Sequence, residues 1–272
     1  MLALAAVMAI SAVASSAAMA ELPEIGRCVL TESTKEGKKT LYHAKYKNKH
    51  CTRESTGGNT GKYEFLSGPG PEGKEVETIG FMAPVILETV KGHKIACTNH
   101  ISFGELTGPK TETWKISLRN CEDTNLKKPC QSFLPEKQLN ETGRVDSQEL
   151  EATLGYISKA GTKPAVGWDY KAKTGSEVFV FECGETPGLG EKVKIEGSFI
   201  GAVKPVNKPV EEMKGYYKAP GGKQLPESFE GGGPSTLSAL FINGLETTTE
   251  QIGFEAPNPE EIEFAEELEI KA

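Results

Sequence analysis

Apolar positions along this chain recur at every second residue far more often than at every third or fourth, the period of strands rather than helices. Residues 85–90 and 93–97 are two such runs separated by Lys91-Gly92. They predict a tight hairpin in which Gly92 takes the positive φ of the turn. Residues 111–120 alternate cleanly and place Trp114, Ile116 and Leu118 on one face. Residues 177–183 are apolar on both faces, with Phe179, Phe181 and Cys183 opposite Val178 and Val180, which predicts a strand covered from both sides. Residues 192–203 point Val193, Ile195, Gly197 and Phe199 inward. Residues 150–157 and 163–170 predict two further strands, although Ser147-Gln148-Glu149-Leu150 also reads as a short helix start. The spacing of these runs predicts an all-β fold, an antiparallel sandwich or barrel.

Gly104, Gly155 and Gly197 sit inside strand patterns, where glycine marks a bulge, a bend or the close approach of another group. The three surrounding segments share a faint rhythm that leaves an internal duplication open. Residues 204–236 are rich in Pro, Gly and Lys and predict a long irregular connection. Residues 246–262 offer few apolar anchors and predict a mobile surface stretch, whereas Leu268 and Ile270 alternate with charge and predict a half-buried terminal strand. With 30 Gly and 16 Pro but no collagen or heptad period among 272 residues, fibrous folds are excluded.

The first 20 residues carry no charge and end in Ala18-Met19-Ala20, followed by polar Glu21. Residues 1–20 therefore predict a cleaved secretory signal peptide, and 21–272 a single β-rich domain with no stable membrane insertion. Six cysteines behind such a segment predict structural disulfides in an oxidising compartment. The expected pairs are Cys28–Cys51, Cys121–Cys130 and Cys97–Cys183: the first two close short polar loops, and the last two cysteines end strong strand patterns. No CxxC is present, and His93-x3-Cys97-x2-His100 fits no common zinc spacing, so no metal or cofactor is expected.

The net charge of −7 is unevenly placed. Residues 246–272 hold nine Glu against one Lys. Residues 35–53 hold Lys35, Lys38, Lys39, Lys45, Lys47, Lys49 and Arg53 against Glu36 alone, with Tyr42 and Tyr46 interleaved. This basic segment is a candidate contact for a polyanion such as a cell-surface polymer or glycan. A solvated disulfide loop neutralised by the acidic end is the plainer alternative. Nucleic acid is not expected as a partner of an acidic secreted chain.

Catalytic motifs are sparse. No Gly-x-Ser-x-Gly occurs, Lys173-Thr174-Gly175 lacks the companion motifs of serine β-lactamases, and Asp123 with Asn125 is too little for a calcium loop. A glycosidase needs only two carboxylates, which 35 Glu supply in any number. Glu182 stands out because it lies inside the most apolar strand, unless it occupies an edge and reaches solvent. Val166, Trp168 and Tyr170 share a face that reads as core packing or as a sugar platform. Asn140-Glu141-Thr142 matches a glycosylation sequon and carries no further chemistry.

Leu22-Pro23-Glu24-Ile25-Gly26-Arg27-Cys28, Cys51-Thr52, Gly61-Lys62-Tyr63-Glu64-Phe65, the run 104–111 and Phe229-Glu230-Gly231-Gly232 follow one another in this order. With them the chain resembles a group of uncharacterised secreted proteins of actinobacteria. The resemblance implies secretion, disulfides and a β-rich fold, and no chemistry. The expected function is a secreted, non-catalytic structural or binding role at the cell envelope or extracellularly; the alternative is a secreted hydrolase using a carboxylate pair.

Overall fold

The computed structural model describes residues 23–56, 60–69, 76–132, 141–160, 163–186 and 188–272. The expected signal peptide therefore lies outside the described residues, as does Asn140 of the sequon. The described strands are β1 Glu24–Leu30, β2 Ser33–Glu36, β3 Lys39–Tyr42, β4 Tyr63–Ser67, β5 Val76–Met82, β6 Val85–Thr89, β7 Lys94–Cys97, β8 Asn99–Leu106, β9 Thr111–Arg119, β10 Glu122–Asp123, β11 Lys128–Ser132, β12 Val145–Asp146, β13 Leu150–Ser158, β14 Ala165–Ala172, β15 Glu177–Cys183, β16 Glu191–Lys204, β17 Val210–Tyr216, β18 Leu237–Asn243, β19 Glu246–Glu255 and β20 Glu260–Lys271. No α-helix occurs among the described residues.

The pairings close on themselves twice. One antiparallel ring runs β5, β8, β9, β13, β14, β16, β17, β20 and back to β5. A second runs β6, β7, β10, β11, β15, β16, β18, β19 and back to β6. Of the two architectures open from sequence, the fold is the barrel. Closure removes the unpaired edges that a sandwich would leave. Strand β1 pairs outside with β20 and β4, and β2 with β3 form a separate two-stranded hairpin.

Strand β16 belongs to both rings. Its first half pairs with β15 and β18, and its second half with β14 and β17. The change of partners falls at Gly197, whose φ of +110° is strained for any residue with a side chain, and where a Cβ would lie 2.1 Å from the Thr236 carbonyl oxygen. The other two glycines of the rhythm receive aromatic rings instead: Trp114 lies against Gly104 and Phe229 against Gly155. Each ring is filled by inward-facing side chains, the first by Trp114, Leu150, Tyr170 and Phe199, the second by Leu87, Ile95, Phe181 and Val193. Where the barrels meet, Phe254 of β19 stacks on Phe199 at 4.9 Å and meets Tyr217 edge-on at 5.3 Å.

The hairpin β6–β7 turns at Gly92 with φ +86°, as its sequence predicts. Two regions read as irregular are corrected. The connection 204–236 contains β17, a barrel strand whose Met213 is buried. The stretch 246–262 is not a mobile surface segment but contains β19, with Ile252 and Phe254 fully buried. Its polar threonines misled the reading because they face outward near the turn.

The disulfides are Cys28–Cys51, Cys97–Cys121 and Cys130–Cys183. The first pair is as expected, and the other two replace the expected Cys121–Cys130 and Cys97–Cys183. The reason is the order β7, β10, β11, β15, which sets Cys97, Cys121, Cys130 and Cys183 in one row across four adjacent strands. With strands about 4.8 Å apart, Cys97 and Cys183 stand too far from each other to bond. Bonding the middle two would leave the outer two as thiols, whereas neighbours pair with Cα atoms 4.0 Å apart in both bridges.

Terminal strand β20 completes the first ring between β5 and β17 and also carries β1. Its Leu268 and Ile270 are fully buried. Deleting residues 264–272 is expected to lower the melting temperature by on the order of 10 °C or more, equally at low and high salt, since burial of apolar side chains rather than ion pairs holds the strand. An unchanged melting curve in differential scanning calorimetry would show the tail to be a dispensable appendage.

Candidate functional sites

The basic segment is divided by the fold. Lys35, Lys38 and Lys39 are exposed on hairpin β2–β3, whose turn is opened by Gly37 at φ +61°. Lys45 instead pairs with Glu54 at 3.1 Å, and Lys47 bonds Thr56 at 3.1 Å. Lys49 lines a small cleft with Glu266, Glu267 and Glu269 of β20, so the acidic end does face part of this segment. Arg53 is exposed. At the foot of the hairpin, Thr40, Tyr42, His43, Thr60 and Lys62 line a groove of about 690 Å³. The Lys62 ammonium lies 5.4 Å over the Tyr42 ring. Sequence reasoning missed Lys62, which lies outside the dense basic run and reaches the hairpin only through the fold.

A polar network occupies the inside of the first barrel. Ser102 donates to Glu260 Oε1 at 2.6 Å, and the Tyr217 hydroxyl donates to Glu260 Oε2 at 2.6 Å. Glu112 is bonded to Tyr170, which contacts Tyr217 in turn. Burial pushes the Glu112 carboxyl up to about 8 and raises Glu260 as well. Burial also drives His100 down to about 3. Its Nε2 lies 3.3 Å from Glu260 Oε1, and burial disfavours the charged form of both groups, so the contact is not built as an ion pair. The two carboxyls are thus linked through Tyr170 and Tyr217 inside a filled barrel. A groove of about 740 Å³ on the outside is lined by Phe103 and Ile79 together with Glu77, Glu105 and Glu263.

Glu182 does not reach solvent. It is fully buried and accepts the backbone N–H groups of Gly188 and Gly190 at 2.8 and 2.9 Å, so it braces the loop after β15. Val166, Trp168 and Tyr170 face the first barrel's core, and no sugar platform is formed by them.

At the mouth of the second barrel a further cluster forms from residues far apart in the chain. His93 precedes β7, Asp123 ends β10 and Glu191 begins β16. One ligand atom from each lies within 4.8 Å of the other two. His93 Nε2 is 2.6 Å from Asp123 Oδ2. The other Asp123 oxygen accepts the backbone N–H groups of Asn125 and Leu126, which fixes the carboxylate. Hydrogen bonding to Asp123 raises the His93 pKa against the opposing effect of burial. Burial raises Glu191, against the pull of His93. For Asp123, burial alone would raise the pKa, but the bonds from His93 and the backbone outweigh it and hold the carboxyl below its ordinary value. Phe241 stacks on the imidazole at 4.6 Å. The sequence signal for this cluster was slight: Asp123 opens an Asx-type turn at Thr124-Asn125, while Glu191 is one acid among many.

No helix among the described residues is long and apolar enough to cross a membrane. The chain matches no protein-family model, no curated protein and no solved structure.

Proposed function

We propose that this is a secreted, non-catalytic binding protein of the cell envelope or extracellular space, and that it holds anionic surface polymer through hairpin β2–β3. One observation carries the reading: Lys35, Lys38 and Lys39 project on a hairpin set apart from both barrels, with no ion pair to them among the described residues. The groove at its foot adds Tyr42 and Lys62, an aromatic face and a cation suited to a charged sugar chain. Three disulfides fit an oxidising compartment.

The test is retention of the purified chain on immobilised dextran sulfate, with neutral dextran as control. Replacing Lys35, Lys38 and Lys39 together by alanine is expected to weaken binding about tenfold and to reduce its salt dependence. The exposed positions leave folding unaffected. Equal retention of variant and parent would refute the proposal.

A further inference from the structure

We propose that His93, Asp123 and Glu191 form a binding site for a divalent transition-metal ion such as Zn²⁺ at the mouth of the second barrel. The donor set is one imidazole nitrogen and two carboxylate oxygens, a combination that suits borderline divalent ions. Three protein ligands leave at least one coordination position for water. Ligand atoms around zinc stand roughly 3–4 Å apart, so small side-chain rotations would draw this cluster, now within 4.8 Å, around an ion.

Two features go beyond proximity. Glu191 Oε2 is buried and has no hydrogen-bond partner among the described residues, as is Oε2 of Glu250, a further acid near His93. Buried carboxylate oxygens are costly to leave unsatisfied, and a cation would satisfy the one on Glu191. The ligands are also held in advance. Asp123 is fixed by its two backbone N–H bonds, His93 by its stack on Phe241. Asp123 lies two residues beyond Cys121, and Glu191 is directly opposite Cys183. The Cys97–Cys121 bridge therefore pins the strand that carries Asp123, and Cys130–Cys183 pins the strand paired with the start of β16, where Glu191 lies. Such positioning of ligands by their surroundings is what makes a metal site tight.

The experiment is titration calorimetry of the chelator-treated mature chain with Zn²⁺, alongside the visible absorption spectrum with Co²⁺. The expected result is one ion per chain, a Co²⁺ spectrum showing nitrogen and oxygen ligation, and at least about tenfold weaker binding in each of His93→Gln and Glu191→Gln. Glu191 sits partly exposed at the strand's start, so its variant keeps the test valid if loss of His93 disturbs folding. Absence of saturable binding up to about 1 mM Zn²⁺ by the folded parent chain would overturn the proposal. So would one-to-one binding that both variants retain at parental strength, which would place the ion elsewhere.

Discussion

Replacing Phe254 by alanine is expected to destabilise both barrels together, by about 3–5 kcal/mol. Phe254 belongs to β19 of the second ring, yet its ring touches Phe199 and Tyr217 of the first and Phe179 of the second. It is fully buried, so truncation leaves a cavity walled by aromatic rings that cannot close over it. The adjoining backbone is already committed: Gln224 accepts from the Phe254 N–H at 3.0 Å and donates to its carbonyl at 3.3 Å. Both tryptophans, Trp114 and Trp168, lie in the first barrel, so their fluorescence reports on the barrel that the mutation does not formally belong to. Fluorescence and far-ultraviolet circular dichroism should shift to the same lower denaturant midpoint. A fluorescence midpoint that stays at the parental value while the dichroism shifts would mean that the barrels unfold separately.

Stability should fall as pH rises from about 6.5 to 8, and Glu112→Gln should remove much of that fall. Burial holds the Glu112 carboxyl protonated up to about 8, against an ordinary value of 4.5. The folded chain therefore keeps a proton that the unfolded chain has released. This contribution is complete below about pH 4.5 and is lost progressively up to about pH 8; its full size is at most roughly 4–5 kcal/mol. Raised Glu260 acts in the same direction. His100, lowered from 6.5 to about 3, acts oppositely: its contribution is present above pH 6.5 and lost as pH falls towards 3. Between pH 6.5 and 8 the carboxyls are unopposed by it; raised His93 loses its own contribution in the same direction there, so the comparison with Glu112→Gln is what isolates the carboxyl. Glutamine keeps the shape and a donor for Tyr170 while removing the titration. Melting temperatures across the window should converge with, then favour, the variant as pH rises. A difference between parent and variant that does not change with pH would disprove the assignment.

Much of the strand content was legible because alternation is a local signal. The hairpin at Gly92 and the runs that became β9, β15 and β16 depend only on neighbours along the chain. What escaped was set by partners distant in sequence. The bend at Gly197 looks like any strand glycine until β16 is seen to exchange β15 and β18 for β14 and β17. The cysteine pairing escaped because it depends on the lateral order of four strands, which loop lengths do not reveal. The sites divide in the same way. The three hairpin lysines were visible as a dense run. His93 and Asp123 were each weighed and set aside, since the spacing that matters between them and Glu191 is across strands.

The sharing of β16 has a consequence for how the chain comes to be folded. Strands of the two rings alternate along the sequence, so no contiguous segment contains one barrel without strands of the other. The second ring is closed by β19 lying between β18 and β6, and the first by β20 lying between β17 and β5. Both closing strands follow every other described strand in sequence, and each must find a partner within residues 76–89. Until they pair, the other strands of each ring form an open curl with unsatisfied edges, and the long loops to be closed delay the reward of the pairing. Neither ring can close before β19 meets β6 and β20 meets β5, so both barrels are completed by pairings that span most of the described residues.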